Sequence, residues 1–98
     1  MDVEYWLNGI CFAWDRRKAA ANLRKHGVGF KTACEVFFDP FVSFVDSEVV
    51  DSEDRERVIG MTAGWELVVV VYVDRGDSIR LISARSATRK ERQTYENQ

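Results

Sequence analysis

The longest apolar run in the chain covers residues 67–73 and is rich in valine. Its length suits a strand, and its lack of alternation is typical of a strand that is covered on both faces. A turn over residues 74–77, in which Gly76 can adopt positive φ, separates this run from another β-pattern over residues 78–84. The pattern therefore predicts a central strand of an antiparallel sheet at residues 67–73.

Two helices are predicted in the N-terminal half. Asp15 can cap the first helix, which ends before Gly27, a residue suited to the left-handed conformation at a helix end. The second begins near Phe30 and stops at Pro40, because the residue before a proline is pushed out of the helical region. Its apolar positions, at i, i+3, i+4 and i+7, are Phe30, Ala33, Cys34 and Phe37. We expect both helices to pack on one sheet face through Leu23, Phe30, Ala33 and Phe37.

The remaining segments complete an α+β pattern. Further strands are predicted over residues 10–13, 41–45 and 55–62. The acidic residues 46–54 are expected to form a loop or a loose connection. A last helix is predicted over residues 87–96, where Thr88 and Glu91 have the spacing of a capping box. The expected order is a short strand, two helices, an antiparallel sheet of about four strands and a C-terminal helix.

Composition narrows the class of protein. The 98 residues make one domain, and 46% hydrophobic with 31% charged residues excludes a disordered chain. No apolar run approaches the ~20 residues of a membrane span, and the acidic N-terminus is unlike a secretory signal. Two isolated cysteines, Cys11 and Cys34, favour a reducing cytoplasm and, with one histidine, make no zinc site. No cofactor is expected.

Charge is segregated along the chain although the formal net charge is only -2. Residues 15–31 hold six cations against one acid, residues 35–56 hold eight acids against one cation, and residues 80–92 hold five cations against one acid. A fold that brings the two basic segments together would have a positive face suited to phosphates. The alternative is that these are ordinary solvated helix faces.

Two motifs carry a resemblance to a known family. W-D-x-x-K-x-x-x-N-x-x-K-H-G runs from Trp14 to Gly27, and I-S-A-R-x-A runs from Ile82 to Ala87. In these motifs the chain resembles the BrnT family of bacterial toxins, with residues 1–9 as an N-terminal extension. The resemblance implies a RelE-like fold and a metal-independent endoribonuclease of a type II toxin–antitoxin system. It also implies an RNA substrate and a BrnA-like ribbon-helix-helix antitoxin as partner.

The chain contains residues with the chemistry for metal-free RNA cleavage. The 2′-hydroxyl must lose a proton, the phosphorane-like transition state needs fixed cations, and the 5′-oxygen needs a proton. Arginine suits the second task because its planar fork grips phosphate oxygens, and lysine or histidine can serve the other two. The residues expected to be catalytic are Lys25, His26, Arg55, Arg80 and Arg85, and those expected to bind RNA are Arg89, Arg92 and Tyr95.

The strand and helix patterns suggest how the arginines are presented. Arg80 alternates with apolar neighbours, so it would lie on an open sheet surface if those neighbours face the core. Arg85, Arg89 and Arg92 have i, i+4, i+7 spacing and would form one stripe if the helical twist begins at Arg85. Like charges so spaced repel one another, which favours an anionic partner.

Other roles stay open at this point. Lys25 and His26 also suit the last turn of a helix, where cations and hydrogen-bond donors complement free carbonyl groups. The whole chain could instead be a non-catalytic RNA- or DNA-binding module, or a small domain whose basic helix docks an acidic protein. The lack of RRM-type glycine-aromatic strand motifs argues against a generic RNA-binding module. Self-association of the isolated chain is expected if it exposes a surface meant for a partner.

Overall fold

The computed structural model describes all 98 residues. Its strands are β1 (Asp2–Leu7), β2 (Ile10–Asp15), β3 (Ser43–Val50), β4 (Glu53–Met61), β5 (Leu67–Asp74) and β6 (Ile79–Ser86). Its helices are α1 (Arg16–His26), α2 (Phe30–Ala33), a 3₁₀ helix (Cys34–Phe38) and α3 (Arg89–Glu96). None of these helices is long and apolar enough to cross a membrane.

The strands form one mixed sheet in the order β1-β2-β6-β5-β4-β3. The β2–β6 pair is parallel, and every other neighbouring pair is antiparallel. The valine-rich β5 lies between β6 and β4, and residues 68–70 are almost fully buried. The prediction of a central antiparallel strand at residues 67–73 is therefore confirmed.

The α+β class is also confirmed. The RelE-like layout with about four antiparallel strands was wrong, because the sheet has six strands and one parallel pair. Residues 2–7, for which no strand was predicted, form β1, which joins β2 through a tight turn at Asn8 and Gly9 with φ of 50° and 81°. The acidic segment expected to be a loop forms the end of β3, the turn and the start of β4, with φ of 50° and 65° at Asp51 and Ser52. Its carboxylates do not prevent pairing because Asp46 lies opposite Arg57.

The predicted second helix was wrong in its form. It is a single α-helical turn, α2, that continues as the 3₁₀ helix to Phe38. Phe30 and Ala33 are buried and Phe37 packs on the core as expected, but Leu23 is 53% exposed. The side chain that α1 buries instead is Asn22, whose amide donates to the carbonyl oxygens of Val28 and Ala84.

The predicted helix ends are confirmed. Asp15 Oδ1 accepts hydrogen bonds from two backbone N–H groups in the first turn of α1, and Gly27 ends the helix with φ of 71°. Thr88 and Glu91 form the full capping box of α3. α1, α2 and the 3₁₀ helix bury the main core on one sheet face, and α3 packs on a smaller apolar cluster that includes Ile59 and Val69.

Candidate active site

Four arginines share the sheet face that α1 and α2 do not cover. Successive strand residues point to opposite faces, and the residues beside these arginines, Val58, Leu81 and Ala84 among them, are buried under the helices. We define the arginine face by these four side chains: Arg55, Arg57, Arg80 and Arg85. The central strand β5 lies between them: Arg57 is opposite Val71 of β5 on one side, and Arg85 is opposite Val69 of β5 on the other.

A depression of about 250 Å³ lies on the arginine face between β3, β4 and β6. Its polar lining consists of Arg55, Arg57, Ser83 and two carboxylates of β3, Asp46 and Glu48, which lie opposite Arg57 and Arg55. Arg55 is the exceptional group, because its buried Nε has no hydrogen-bond partner and its side chain forms no ion pair. An unpaired donor of this kind is costly unless an acceptor binds it.

The other three arginines of the face are each held by a carboxylate. Arg57 contacts Asp46 through Nε at 2.9 Å and through Nη2 at 3.2 Å. Arg80 donates from both Nη atoms to Asp2 at 3.0 Å each, so β1 supplies the anion that neutralises this cation. These are bidentate contacts, which fix the plane of the guanidinium group as well as its charge.

Arg85 has the shortest of these contacts. Its Nη1 and Nη2 donate to the carboxylate of Glu91 at 2.8 and 2.9 Å. Glu91 also accepts from the backbone N–H of Thr88 at 2.8 Å. The hydrogen bond from Arg85 is the main cause that lowers the pKa of Glu91 from 4.5 to about 2, and the same contact raises the pKa of Arg85. α3 thus holds the guanidinium at the end of β6.

Lys25 and His26 lie on the helical side of the sheet, in the last turn of α1. Neither side chain forms a hydrogen bond or an ion pair, so His26 does not cap the helix; the Gly27 backbone N–H donates to the Leu23 carbonyl instead. Asn22, one turn earlier, accepts from the N–H of Ala84 at 3.1 Å. That bond places the end of α1 near the end of β6, but no hydrogen bond or ion pair joins Lys25 or His26 to the arginine face.

α3 carries all three residues that were expected to bind RNA, at spacings of three residues: Arg89, Arg92 and Tyr95. The single stripe through Arg85, Arg89 and Arg92 was wrong, because Arg85 belongs to β6 and the helix begins only at Arg89. Arg89 is exposed, and Arg92 makes a long contact of 3.8 Å with Glu96. Tyr95 packs on the smaller core.

The Tyr95 hydroxyl donates to Asp39 Oδ2, which also accepts from the Met61 N–H. Burial and this hydrogen bond raise the pKa of Tyr95 to about 12. The hydroxyl therefore links α3 to the segment after the 3₁₀ helix, which is a structural contact.

Sequence reasoning missed three residues of the face: Arg57, Ser83 and Glu91 as the partner of Arg85. Arg57 could have been found, because it lies two residues after Arg55 in a predicted strand and must share its face. Ser83 and Glu91 gave no such local signal, since their positions depend on the β5–β6 register and on where α3 docks.

Comparison with known proteins identifies the family. The family model described as "Ribonuclease toxin, BrnT, of type II toxin-antitoxin system" matches residues 14–91, well over half of the chain. This chain belongs to the BrnT family. The BrnT match contains Arg85 and its partner Glu91, whereas Asp2, the partner of Arg80, lies outside it. Membership makes the chain one of the ribonuclease toxins of type II toxin–antitoxin systems.

A solved BrnT structure supports this assignment. The 1.1 Å crystal structure of the Brucella abortus ribonuclease toxin BrnT is similar, with a TM-score of 0.63 and 28% sequence identity. The similarity covers 78% of this chain and 94% of the Brucella toxin. Among proteins with curated descriptions, none matches this chain.

Proposed function

We propose that this chain is itself an active, metal-independent endoribonuclease that cleaves RNA by attack of the 2′-hydroxyl on the adjacent phosphate. The products would be a 2′,3′-cyclic phosphate and a 5′-hydroxyl, and cleavage in the cytoplasm would stop growth. Membership of the BrnT family supports the general activity. The observation that carries the proposal for this chain is the Arg55 guanidinium group, which lines the depression on the arginine face and is held by no carboxylate.

Arg55 and Arg57 would bind the scissile phosphate. A phosphate in the depression would accept hydrogen bonds from the Arg55 Nη atoms, which contact no carboxylate, and Arg57 keeps Nη1 free when Nε and Nη2 contact Asp46. The reacting phosphate gains negative charge in the transition state, so donors already fixed there stabilise it more than the ground state. The Ser83 hydroxyl lines the same depression and can donate a further hydrogen bond.

Arg80 and Arg85 would flank that phosphate along β6. Both Nη atoms of each arginine donate to a carboxylate. Each arginine could therefore contact RNA through its Nε, or through its Nη atoms if a phosphate displaces the carboxylate. The fixed plane of Arg85 favours catalysis, because no reorientation is needed when charge develops. Arg89, Arg92 and Tyr95 would contact RNA beyond the reacting bond, and the two α3 arginines would act through salt-dependent attraction.

Lys25 and His26 would take part in proton transfer only if the RNA wraps from the arginine face round to the helical side of the sheet, where both residues lie. This assignment requires the RNA to pass the end of β6, near which Asn22 holds the last turn of α1. It rests on the chemistry of the two side chains, since they are free of internal partners and β4 and β6 carry no lysine or histidine.

A BrnA-like ribbon-helix-helix antitoxin would bind the toxin and keep RNA from reaching its basic surface. Support comes from the edge strand β3 and the loop before it, where Phe41, Phe44 and Val49 are each more than 60% exposed. Exposed apolar side chains on an unpaired strand edge invite another chain. The same surface would cause the isolated chain to self-associate.

The test uses purified chain, a defined RNA and excess EDTA. We expect cleavage with a 2′,3′-cyclic phosphate end, and a loss of about 10²-fold or more in rate for Arg55→Lys, which keeps the charge but removes the fork. Arg24→Lys is the matched control, because Arg24 is exposed on α1 and unpaired. Full activity of Arg55→Lys would refute the role of Arg55, and activity that requires a metal would refute the mechanism.

One observation weakens catalysis relative to a second function, non-catalytic RNA binding. Three of the four face arginines are already neutralised by Asp46, Asp2 and Glu91. In the same experiment, RNA that binds at low salt and is released at high salt without being cleaved would identify this second function.

A further inference from the structure

A second cleft, distinct from the arginine face, lies between the β1–β2 turn, the 3₁₀ helix and the β4–β5 turn. It has a volume of about 420 Å³ and shares no lining residue with the depression on the arginine face. Pockets for ligands commonly occupy about 300–1,000 Å³. Its apolar lining is Leu7, Phe38, Pro40, Met61, Ala63 and Trp65.

Trp65 is the unusual residue of this cleft. The Thr62 N–H donates to the Glu66 carbonyl, and the Trp65 N–H donates to the Thr62 carbonyl, which closes a three-residue loop over residues 63–65. The last residue of such a loop adopts positive φ and is commonly glycine. Here it is a tryptophan with φ of 63° and 83% exposure. A bulky residue in this conformation is strained, and such strain often marks a functional site.

The charged groups that line the cleft are both acidic. Glu35 accepts the Ala63 N–H at 3.0 Å through Oε1, and its Oε2 has no partner. Asp39 accepts hydrogen bonds from Phe41 N–H, Met61 N–H and the Tyr95 hydroxyl. Partial burial raises the pKa of Asp39, but these hydrogen bonds lower it by more, so this carboxylate stays ionised. No lysine, arginine or histidine lines the cleft.

The two carboxylates of the cleft favour a positively charged ligand over a negatively charged one. A phosphate or nucleotide would meet two carboxylates and no cation, so RNA is disfavoured. A cation can lie over the indole face of Trp65, where the ring quadrupole attracts it. The charged end of an arginine or lysine side chain placed there would reach Glu35 Oε2. Apolar residues on either side of it in the bound segment would contact Leu7 and Met61. We propose that this cleft docks a segment of a partner protein that presents an arginine or lysine between apolar side chains.

Glu35 and Trp65 make the proposal testable without disturbing the fold. Trp65→Gly replaces a strained residue by the one that this turn position favours, so the folded state should be retained or stabilised. Glu35→Gln keeps an oxygen for the Ala63 N–H but removes the charge. Trp6→Ala is the matched control, since Trp6 is also exposed but lies on β1 outside the cleft.

The probe is the peptide acetyl-Leu-Arg-Leu-amide, titrated into the full chain while the indole N–H resonances are followed by NMR. The Trp65 signal is identified by its absence in Trp65→Gly. We expect a saturable shift of that signal alone, weakened at least several-fold in Glu35→Gln, unchanged in Trp6→Ala, and absent with acetyl-Leu-Glu-Leu-amide.

Two results would overturn the proposal. The first is no shift of the Trp65 signal with the arginine peptide, or an equal shift with the glutamate peptide. The second is a larger shift with a mononucleotide such as uridine monophosphate, which would make Trp65 a base-stacking residue instead. RNA cleavage by Trp65→Gly tests the proposed function separately from peptide docking, because the cleft and the depression on the arginine face share no lining residue.

Discussion

The contact between Arg85 and Glu91 gives a sharp prediction for stability against pH. The change is Glu91→Gln, which keeps a side-chain oxygen for the Thr88 N–H but removes the negative charge that Arg85 binds through both Nη atoms. Both side chains are at most one-third exposed, so solvent weakens this pair less than a surface ion pair. We expect a substantial loss of stability at neutral pH.

The magnitude follows from the pKa of Glu91, which is lowered from 4.5 to about 2 in the folded state. One pKa unit corresponds to about 1.4 kcal/mol, so the carboxylate contributes about 3 kcal/mol at neutral pH. A group with a depressed pKa gives its full contribution above the pKa of the unfolded state and loses it as the pH falls toward the folded-state value. About 2 kcal/mol of it should disappear between pH ~5 and pH ~3.

The assay is urea unfolding followed by circular dichroism, with parent and variant compared at each pH so that other carboxylates cancel. Glu91→Gln should be less stable than the parent by about 3 kcal/mol at pH ~7, and the gap should narrow to roughly 1 kcal/mol at pH ~3. Glu96→Gln is the control. Its contact with Arg92 is 3.8 Å long and exposed, so it should matter little. A gap that is small at neutral pH, or the same at both pH values, would refute the reasoning.

Two further substitutions test the packing, both by urea unfolding. Gly60→Ala should destabilise by about 1–3 kcal/mol, because an added Cβ would lie 2.8 Å from the Val36 carbonyl oxygen; Gly29→Ala, with nothing within 4 Å, should be neutral, and equal effects would contradict the explanation. Asn22→Ala should cost about 3 kcal/mol, because it leaves the N–H and carbonyl of Ala84 without partners; a loss below about 1 kcal/mol would show that water replaces the amide.

The features that the sequence predicted well are those fixed by near neighbours in the chain. Asp15 caps the helix that follows it, and Gly27 ends the same helix, because both act on backbone groups within a few residues. The uninterrupted apolar run of β5 likewise had to be buried on both faces wherever it lay. Such signals survive because no distant contact competes with them.

The errors came from features that only distant contacts decide. The acidic segment was expected to be a loop from its composition, although Asp46 pairs with Arg57 across a hairpin. Leu23 was expected in the core by its residue type, but α1 turns Asn22 inward because Ala84 offers it both a donor and an acceptor. One local signal was also overlooked, since Asn8-Gly9 is a typical hairpin turn and would have predicted β1.

The arginine face, which we propose as the RNA site, carries carboxylates that pair with three of its four arginines, in line with the net charge of -2. Paired arginines keep their geometry but little of their long-range field, so they attract few anions at a distance. Arg55 is the one arginine of the face that forms no ion pair, although Glu48 lies opposite it on β3, so a phosphate could bind it without displacing a carboxylate. Discrimination among RNAs would then depend on how well each one replaces Asp46, Asp2 or Glu91, which is a matter of shape and position as well as charge.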